Sequence, residues 1–257
     1  MSNTKFVNIL DNKIIKQDKY DYLKDKDIII NNLYELFGVK LIGVDFNISV
    51  NKMSDDFLKA EIIGYDEEYR ITIFEFRKDK YGPLIKKSLM AIDYINEHSS
   101  IFNTLIKEYI DSNDFNNLNY NARLIIIGED FSESDNYALK QLPYLVDLVS
   151  AKIYSNNLII EKMYSSFQVR IEGYNILMKN DLFKRLHEDI MELGSEVSST
   201  GTKGFINYRR IKNFCFVLVN NDIKVFIRNN KKLENSIINN DNYLEILEKI
   251  KIAYEEN

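Results

Sequence analysis

EIIGYDEEYRITIFEFRKDK, residues 61–80, is the stretch whose reading decides the fold. Two apolar segments flank the acidic turn Asp66–Tyr69, so the pattern predicts a hairpin of strands at about 57–65 and 70–77. Side chains alternate along a strand, which puts Ile71, Ile73, Glu75 and Arg77 on one face and Thr72, Phe74 and Phe76 on the other. With both faces largely apolar, the second strand belongs in the middle of a sheet, covered on both sides. An ionised Glu75 is costly there unless it is paired or holds a cation. Glu61, on the neighbouring strand, stands opposite Glu75 or one step diagonal to it. Two carboxylates converging at a strand end suit Mg²⁺, which takes oxygen ligands and keeps several waters. By spacing alone, a surface ion pair of Glu75 and Arg77 is the plainer alternative. The following Lys78, Lys80, Lys86 and Lys87 form a basic rim that suits a phosphate backbone and equally suits a solvated face.

Outward from the hairpin, KFVNIL-DN-KIIK at residues 5–16 predicts a small appended hairpin with a two-residue turn. An apolar stripe through Leu23, Ile29, Ile30, Leu33 and Phe37 predicts one helix over 20–37, stopped by Gly38. A first strand at 40–49 precedes the hairpin. Gly82 and Pro83 open a helix running to His98, and a further helix covers 101–110. A buried strand at 123–128, a helix capped by Ser132 or Ser134, and strands at 144–154 and 158–163 complete the first unit. Periodicity lapses over 165–174. Beyond it a helix over 177–193, strands at 204–208, 213–220 and 223–228, and a helix over 243–254 predict a small α+β domain. The expected domains are thus 1–165 and 175–257.

The 257 residues are 45% hydrophobic, enough to bury a core, and the formal charge of −5 gives no global basic footprint for nucleic acid. Any such binding rests on local patches. The lone Cys215 excludes an internal disulfide and suits a reducing cytoplasm. No signal-peptide pattern and no apolar run near ~20 residues occurs, so no membrane span is expected.

The hairpin with its acids resembles the restriction-endonuclease-like PD-(D/E)xK core, in which an acid on one strand is followed by Glu-x-Lys on the next. NNLYELFGVKLIG, KKSLMAIDYI and NARLIIIGEDFS extend the likeness to bacterial proteins catalogued as predicted transport proteins. INYRRIKNFCFVLV resembles the domain of unknown function found at their C-terminus. The resemblance implies an αβββαβ core with a mixed sheet, Mg²⁺ as cofactor, and nucleic acid as partner, DNA before RNA. Position by position it implies Glu61 and Glu75 as metal ligands, with Asp45 a weaker third, and Arg77 at the catalytic lysine position. Arg77, Lys78, Lys80 and Lys87 would meet phosphate. Arginine cannot serve as a base, because its pKa lies above ~12. Ile30 stands where relatives often carry a glutamate, and Lys87 where they carry a glutamine. These departures imply a nucleic-acid-binding protein with weak or lost cleavage. The alternatives are an active Mg²⁺-dependent endonuclease, by analogy in defence against foreign DNA, and a protein-interaction module or homodimer on an inactivated fold.

His187 and His98 have no partner at metal-ligand spacing, and Cys215 lies in an apolar strand, so all three are expected to be structural. GTKG at 201–204 is a turn without the phosphate-loop pattern. Tyr208, Arg209, Arg210, Lys212, Lys224, Arg228, Lys231 and Lys232 form a basic, aromatic cluster that suits stacking on bases, or a charged strand edge.

Overall fold

The computed structural model describes residues 6–8, 13–18, 22–48, 58–78, 86–155, 157–166, 169–202, 204–229 and 232–257. The chain divides into two compact units, Met1–Ser166 and Phe167–Asn257.

The first unit opens with the antiparallel strands β1 (Phe6–Asn8) and β2 (Lys13–Ile15). Their register pairs Asn8 with Lys13, two residues off the pairing of Leu10 with Lys13 that a tight Asp11–Asn12 turn requires. Helices α1 (Tyr22–Asn31) and α2 (Leu33–Phe37) replace the single helix expected. The break is Asn32, at φ −122° and ψ 22°, whose side-chain amide donates back to the Ile28 carbonyl at 2.8 Å. Asparagine competes for backbone groups in this way inside helices. Gly38 ends α2 at φ 65°, the left-handed cap its position predicts.

Strands β3 (Lys40–Asn47), β4 (Lys59–Tyr65) and β5 (Arg70–Phe76) run antiparallel. Residues 49 and 57, expected in β3 and β4, lie outside the described residues. The acidic turn is held by Asp66, whose Oδ1 accepts the Glu68 and Arg70 amides at 2.9 and 3.0 Å. Gly64 is required in β4: a Cβ there would stand 2.3 Å from the Lys40 carbonyl oxygen. Helix α3 (Lys86–Glu97) follows, and Gly82 and Pro83, expected to open it, lie outside the described residues. Next come α4 (Ser99–Ile106), a 3₁₀ turn (Lys107–Tyr109) and α5 (Ser112–Phe115), in place of one helix over 101–110. Strand β6 (Asn119–Gly128), helix α6 (Glu133–Leu139), and strands β7 (Leu145–Tyr154) and β8 (Asn157–Ser165) close the unit.

The sheet order is β3-β4-β5-β6-β7-β8. Strand β5 pairs parallel with β6, and β6 parallel with β7, because helices make both crossovers. One face, carrying Ile71, Ile73, Leu124 and Ile126, packs against Ile92 and Ile95 of α3 and Phe102 and Ile106 of α4. On the other face Phe74 meets Phe37 of α2 edge-on at 5.0 Å. Strand β5 is therefore central and covered on both sides, as its apolar parity requires.

In the second unit β9 (Val169–Ile171), α7 (Tyr174–Leu177) and α8 (Asp181–Met191) lead into β10 (Ser198–Thr202), β11 (Phe205–Arg209), β12 (Asn213–Val219), β13 (Ile223–Asn229), β14 (Lys232–Ile237) and α9 (Tyr243–Glu256). The helix expected over 177–193 is interrupted at Asn180, which caps α8 by accepting the Phe183 amide at 3.0 Å. Six strands in the order β14-β13-β12-β11-β10-β9 replace the three expected. All neighbours are antiparallel except β9 with β10. Gly201 and Thr202 belong to β10, so the GTKG turn is shorter than its sequence implies. Helices α8 and α9 cover one face through Phe183, Leu186, Ile190, Ile246 and Ile250. Among the described residues, no helix is long and apolar enough to cross a membrane.

Candidate carboxylate site

The hairpin register pairs Ile63 with Ile73 and Ile62 with Phe74. One step further along, Glu61 of β4 stands opposite Glu75 of β5, on the face covered by α3. There Ser88 donates its hydroxyl to Glu75 Oε2 at 3.1 Å. Lys78, just past the end of β5 and exposed, places Nζ 3.5 Å from Glu61 Oε1. Glu75 is the half-buried member of an otherwise buried strand. Burial, and then the like charge of Glu61, push its carboxyl up to about 7, against the Ser88 hydrogen bond and the charges of Lys78 and Lys26. A carboxylate so placed gains from a cation.

On the other side of β4, the pairs Val44–Ile62 and Phe46–Ala60 place Asp45 opposite Glu61, extending the acidic row across three strands. Asp45 leaves the extended conformation at φ 48°, however. Its carboxylate, 66% exposed, lies 3.1 Å from Nζ of Lys26 on α1. Among the described residues no three Asp, Glu, His or Cys side chains form a group able to hold a metal. The structure thus brings Glu61 and Glu75 together and ties Asp45 to Lys26. Sequence reasoning missed Lys26. The available signal was a lysine on the apolar stripe of α1, one turn before Ile29 and Ile30, where it is buried.

Arg77 is held elsewhere. Its side chain crosses Gly128, where a Cβ would lie 3.2 Å from Arg77 Cβ, and its guanidinium sits 5.5 Å from the Phe131 ring centroid. Nη1 donates to Asp135 Oδ2 at 3.0 Å and reaches the Asp130 carbonyl at 3.5 Å. Asp135 also closes the capping box of α6, accepting the Ser132 amide at 2.7 Å. Burial opposes ionisation of Asp135, but the Ser132 amide, Arg77 and the Ser132 hydroxyl together hold it below the usual carboxylate range. The expected metal ligands therefore face one another, while the expected phosphate-binding arginine braces the start of α6. Lys80 lies outside the described residues, as do the side chains of Lys86 and Lys87. Ile30 lines an open groove with Leu33, Tyr34, Val39 and Leu41.

A second missed feature is the ion pair of Arg123 on β6 with Asp147 on β7, both buried, with Nε to Oδ2 at 2.7 Å. Ser165 donates to the other carboxylate oxygen at 2.6 Å.

In the second unit Cys215 is buried, and burial raises its thiol well above the usual range. His187 is likewise buried, its Nδ1 2.8 Å from the Tyr208 hydroxyl, and burial lowers its pKa to about 4. The basic cluster read from the sequence is not one surface. Tyr208 and Arg209 are buried, and Arg210 places Nε 3.1 Å from Glu196. Tyr208 has no face open to a base. Lys231 lies outside the described residues.

Compared with protein-family models, curated proteins and solved structures, the chain matches none.

Proposed function

We propose that the first unit is a Mg²⁺-dependent nucleic-acid-binding module of the PD-(D/E)xK type, with weak or no phosphodiester cleavage. One observation carries this reading: Glu61 and Glu75 meet on adjacent strands, with Glu75 raised to about 7 by burial and by its neighbour. A six-strand mixed sheet in which helices precede antiparallel β3-β4-β5, and further helices lead to parallel β6, is what supports this reading at the level of fold. Two carboxylates facing one another fit a hard cation that keeps most of its water, and they would hold it without a third protein ligand. Bound there, Mg²⁺ would supply Lewis-acid charge to a phosphate oxygen. Lys78, exposed beside Glu61, is placed to meet the adjoining phosphate. Weak cleavage follows from residue 77, which is an arginine committed to Asp135 and unable to take a proton from water. Loss of a positioned base costs about 10² to 10⁴ in rate.

The test is binding of labelled duplex DNA and RNA at low ionic strength, with Mg²⁺ and with EDTA. Mg²⁺-dependent, salt-sensitive binding that is lost in Glu75→Gln supports the reading. Equal binding by Glu75→Gln, or none by the natural chain, overturns it. Metal-dependent cleavage lost in Glu75→Ala would instead mark an active nuclease. The sequestered Arg77 and the net charge of −5 favour a second reading, an interaction module on an inactivated fold. A stoichiometric protein recovered from nuclease-treated host lysate would favour that one.

A further inference from the structure

Parity divides the second sheet into two faces. Ile206, Val217, Val225 and Ile227 are buried in the core that α8 and α9 cover. On the opposite side the register sets Phe205 beside Leu218, Phe216 beside Phe226, Lys224 beside Ile237 and Arg228 beside Leu233. Over β12 to β14 this face is open. Phe205 is 40%, Ile237 49% and Leu233 55% exposed, and Phe216, Leu218 and Phe226 are half-buried. Contiguous apolar side chains left exposed on one sheet face are the kind of patch that binds a partner.

Its chemistry distinguishes the occupant. The rings of Phe205 and Phe216 lie nearly parallel with centroids 6.2 Å apart, and the Arg228 guanidinium stands 5.7 Å from the Phe216 centroid. Lys224, Phe226 and Arg228 take successive same-face positions on β13, so one strand presents cation, ring, cation at intervals of about 6.6 Å. No aspartate or glutamate occupies the described same-face positions of β11 to β14; Glu234, paired with Ile227, is on the other side. Flat rings flanked by cations on the described positions of this sheet face complement stacked bases joined by phosphates.

We infer that this face of the second unit binds single-stranded nucleic acid, with bases stacking on Phe216 and Phe226 and phosphates meeting Lys224 and Arg228. The site belongs to the second unit, the carboxylate pair to the first, and it needs no metal.

The test is fluorescence anisotropy of a labelled oligo-dT of about twelve nucleotides with the full chain, at low salt and in EDTA, which silences the carboxylate site. Phe226→Leu keeps an apolar side chain and removes the ring, and its affinity is expected to fall about five- to a hundredfold. Phe226→Tyr keeps the stacking and is expected to stay within about twofold, which separates a stacking role from damage to the fold. Lys224→Met and Arg228→Met should each flatten the dependence of log affinity on log salt by about 0.7. Absence of binding in EDTA, or equal binding by Phe226→Leu, overturns the inference. So does a sedimenting dimer that Phe226→Leu dissociates without any oligonucleotide binding, which would assign the face to a second copy. Binding seen only with Mg²⁺ and lost in Glu75→Gln overturns this inference and leaves the proposed function standing. EDTA-resistant binding that needs Phe226 supports this inference, and the proposed function then fails separately if the natural chain shows no Mg²⁺-dependent duplex binding.

Discussion

Replacing Glu75 by glutamine should stabilise the first unit at neutral and alkaline pH. A carboxyl raised from 4.5 to about 7 takes up protons in the folded state that the unfolded chain does not hold over that interval. The contribution of Glu75 to stability is therefore greatest below pH 4.5 and is lost as pH rises through about 7. The whole interval corresponds to about 3 kcal/mol, and to about 2 kcal/mol once the solvent reaching a half-buried group is allowed for. Glutamine retains an oxygen for the Ser88 hydroxyl and removes both the desolvated charge and its repulsion with Glu61. The assay is chemical denaturation of both proteins from about pH 5 to about pH 8, following a probe in the first unit. Taking the difference between them cancels titrating groups that do not interact with Glu75, including His187, whose depressed pKa acts in the opposite direction. The variant should gain about 2 kcal/mol over the natural chain near pH 8 and almost nothing near pH 5, and Mg²⁺ should narrow the gap by stabilising only the natural chain. A pH-independent difference would show that Glu75 is not the desolvated, repelled carboxylate described above.

Lys26→Met and Lys78→Met each remove a cation that favours ionised Glu75, so both should raise its pKa in a carbon-13 carboxyl titration; unchanged titration in Lys26→Met would place α1 outside the site. Arg77→Lys alone should give no gain of metal-dependent cleavage, because Asp135 remains to bind the new ammonium, whereas Arg77→Lys with Asp135→Asn frees it; nicking of supercoiled DNA distinguishes the two. Arg123→Met leaves Asp147 charged and buried, and should cost about 3–5 kcal/mol in denaturant unfolding, while the double change Arg123→Met with Asp147→Leu recovers most of it. His187, depressed to about 4, favours the folded second unit fully above its unfolded pKa of 6.5, and that contribution disappears as pH falls through about 4; His187→Phe should flatten the acid limb of the second unit's unfolding profile.

Much of this protein was written locally. The period-two pattern of 61–77 was enough to place Glu75 on a central, doubly covered strand facing Glu61. Short local signals likewise marked the end of α2, at Gly38 with its left-handed backbone, and the start of α6, where Ser132 of the two serines on offer supplies the capping hydroxyl. Cys215 was legible as core because its strand is apolar on both sides. The helix breaks at Asn32 and Asn180 were harder, since an apolar stripe continues across an asparagine that has turned its amide onto the backbone. Strands β10 and β14, SSTGT and KLENSI, were missed because backbone pairing holds them: β10 has only small side chains, and β14 has just two apolar residues, both exposed.

The site divides the same way. Sequence alone determined that two carboxylates would share one face of a hairpin, because adjacent strands joined by a short turn have little freedom of register. Only the tertiary structure decided which distant charges pair around them. Asp135 lies 58 positions from Arg77, and Lys26 reaches Asp45 from a preceding helix. Such partners are chosen by strand order and helix docking. A charge can be read from a chain, but the countercharge that closes it belongs to whatever the fold packs within 3 to 4 Å, and contacts between distant segments leave no local pattern to read.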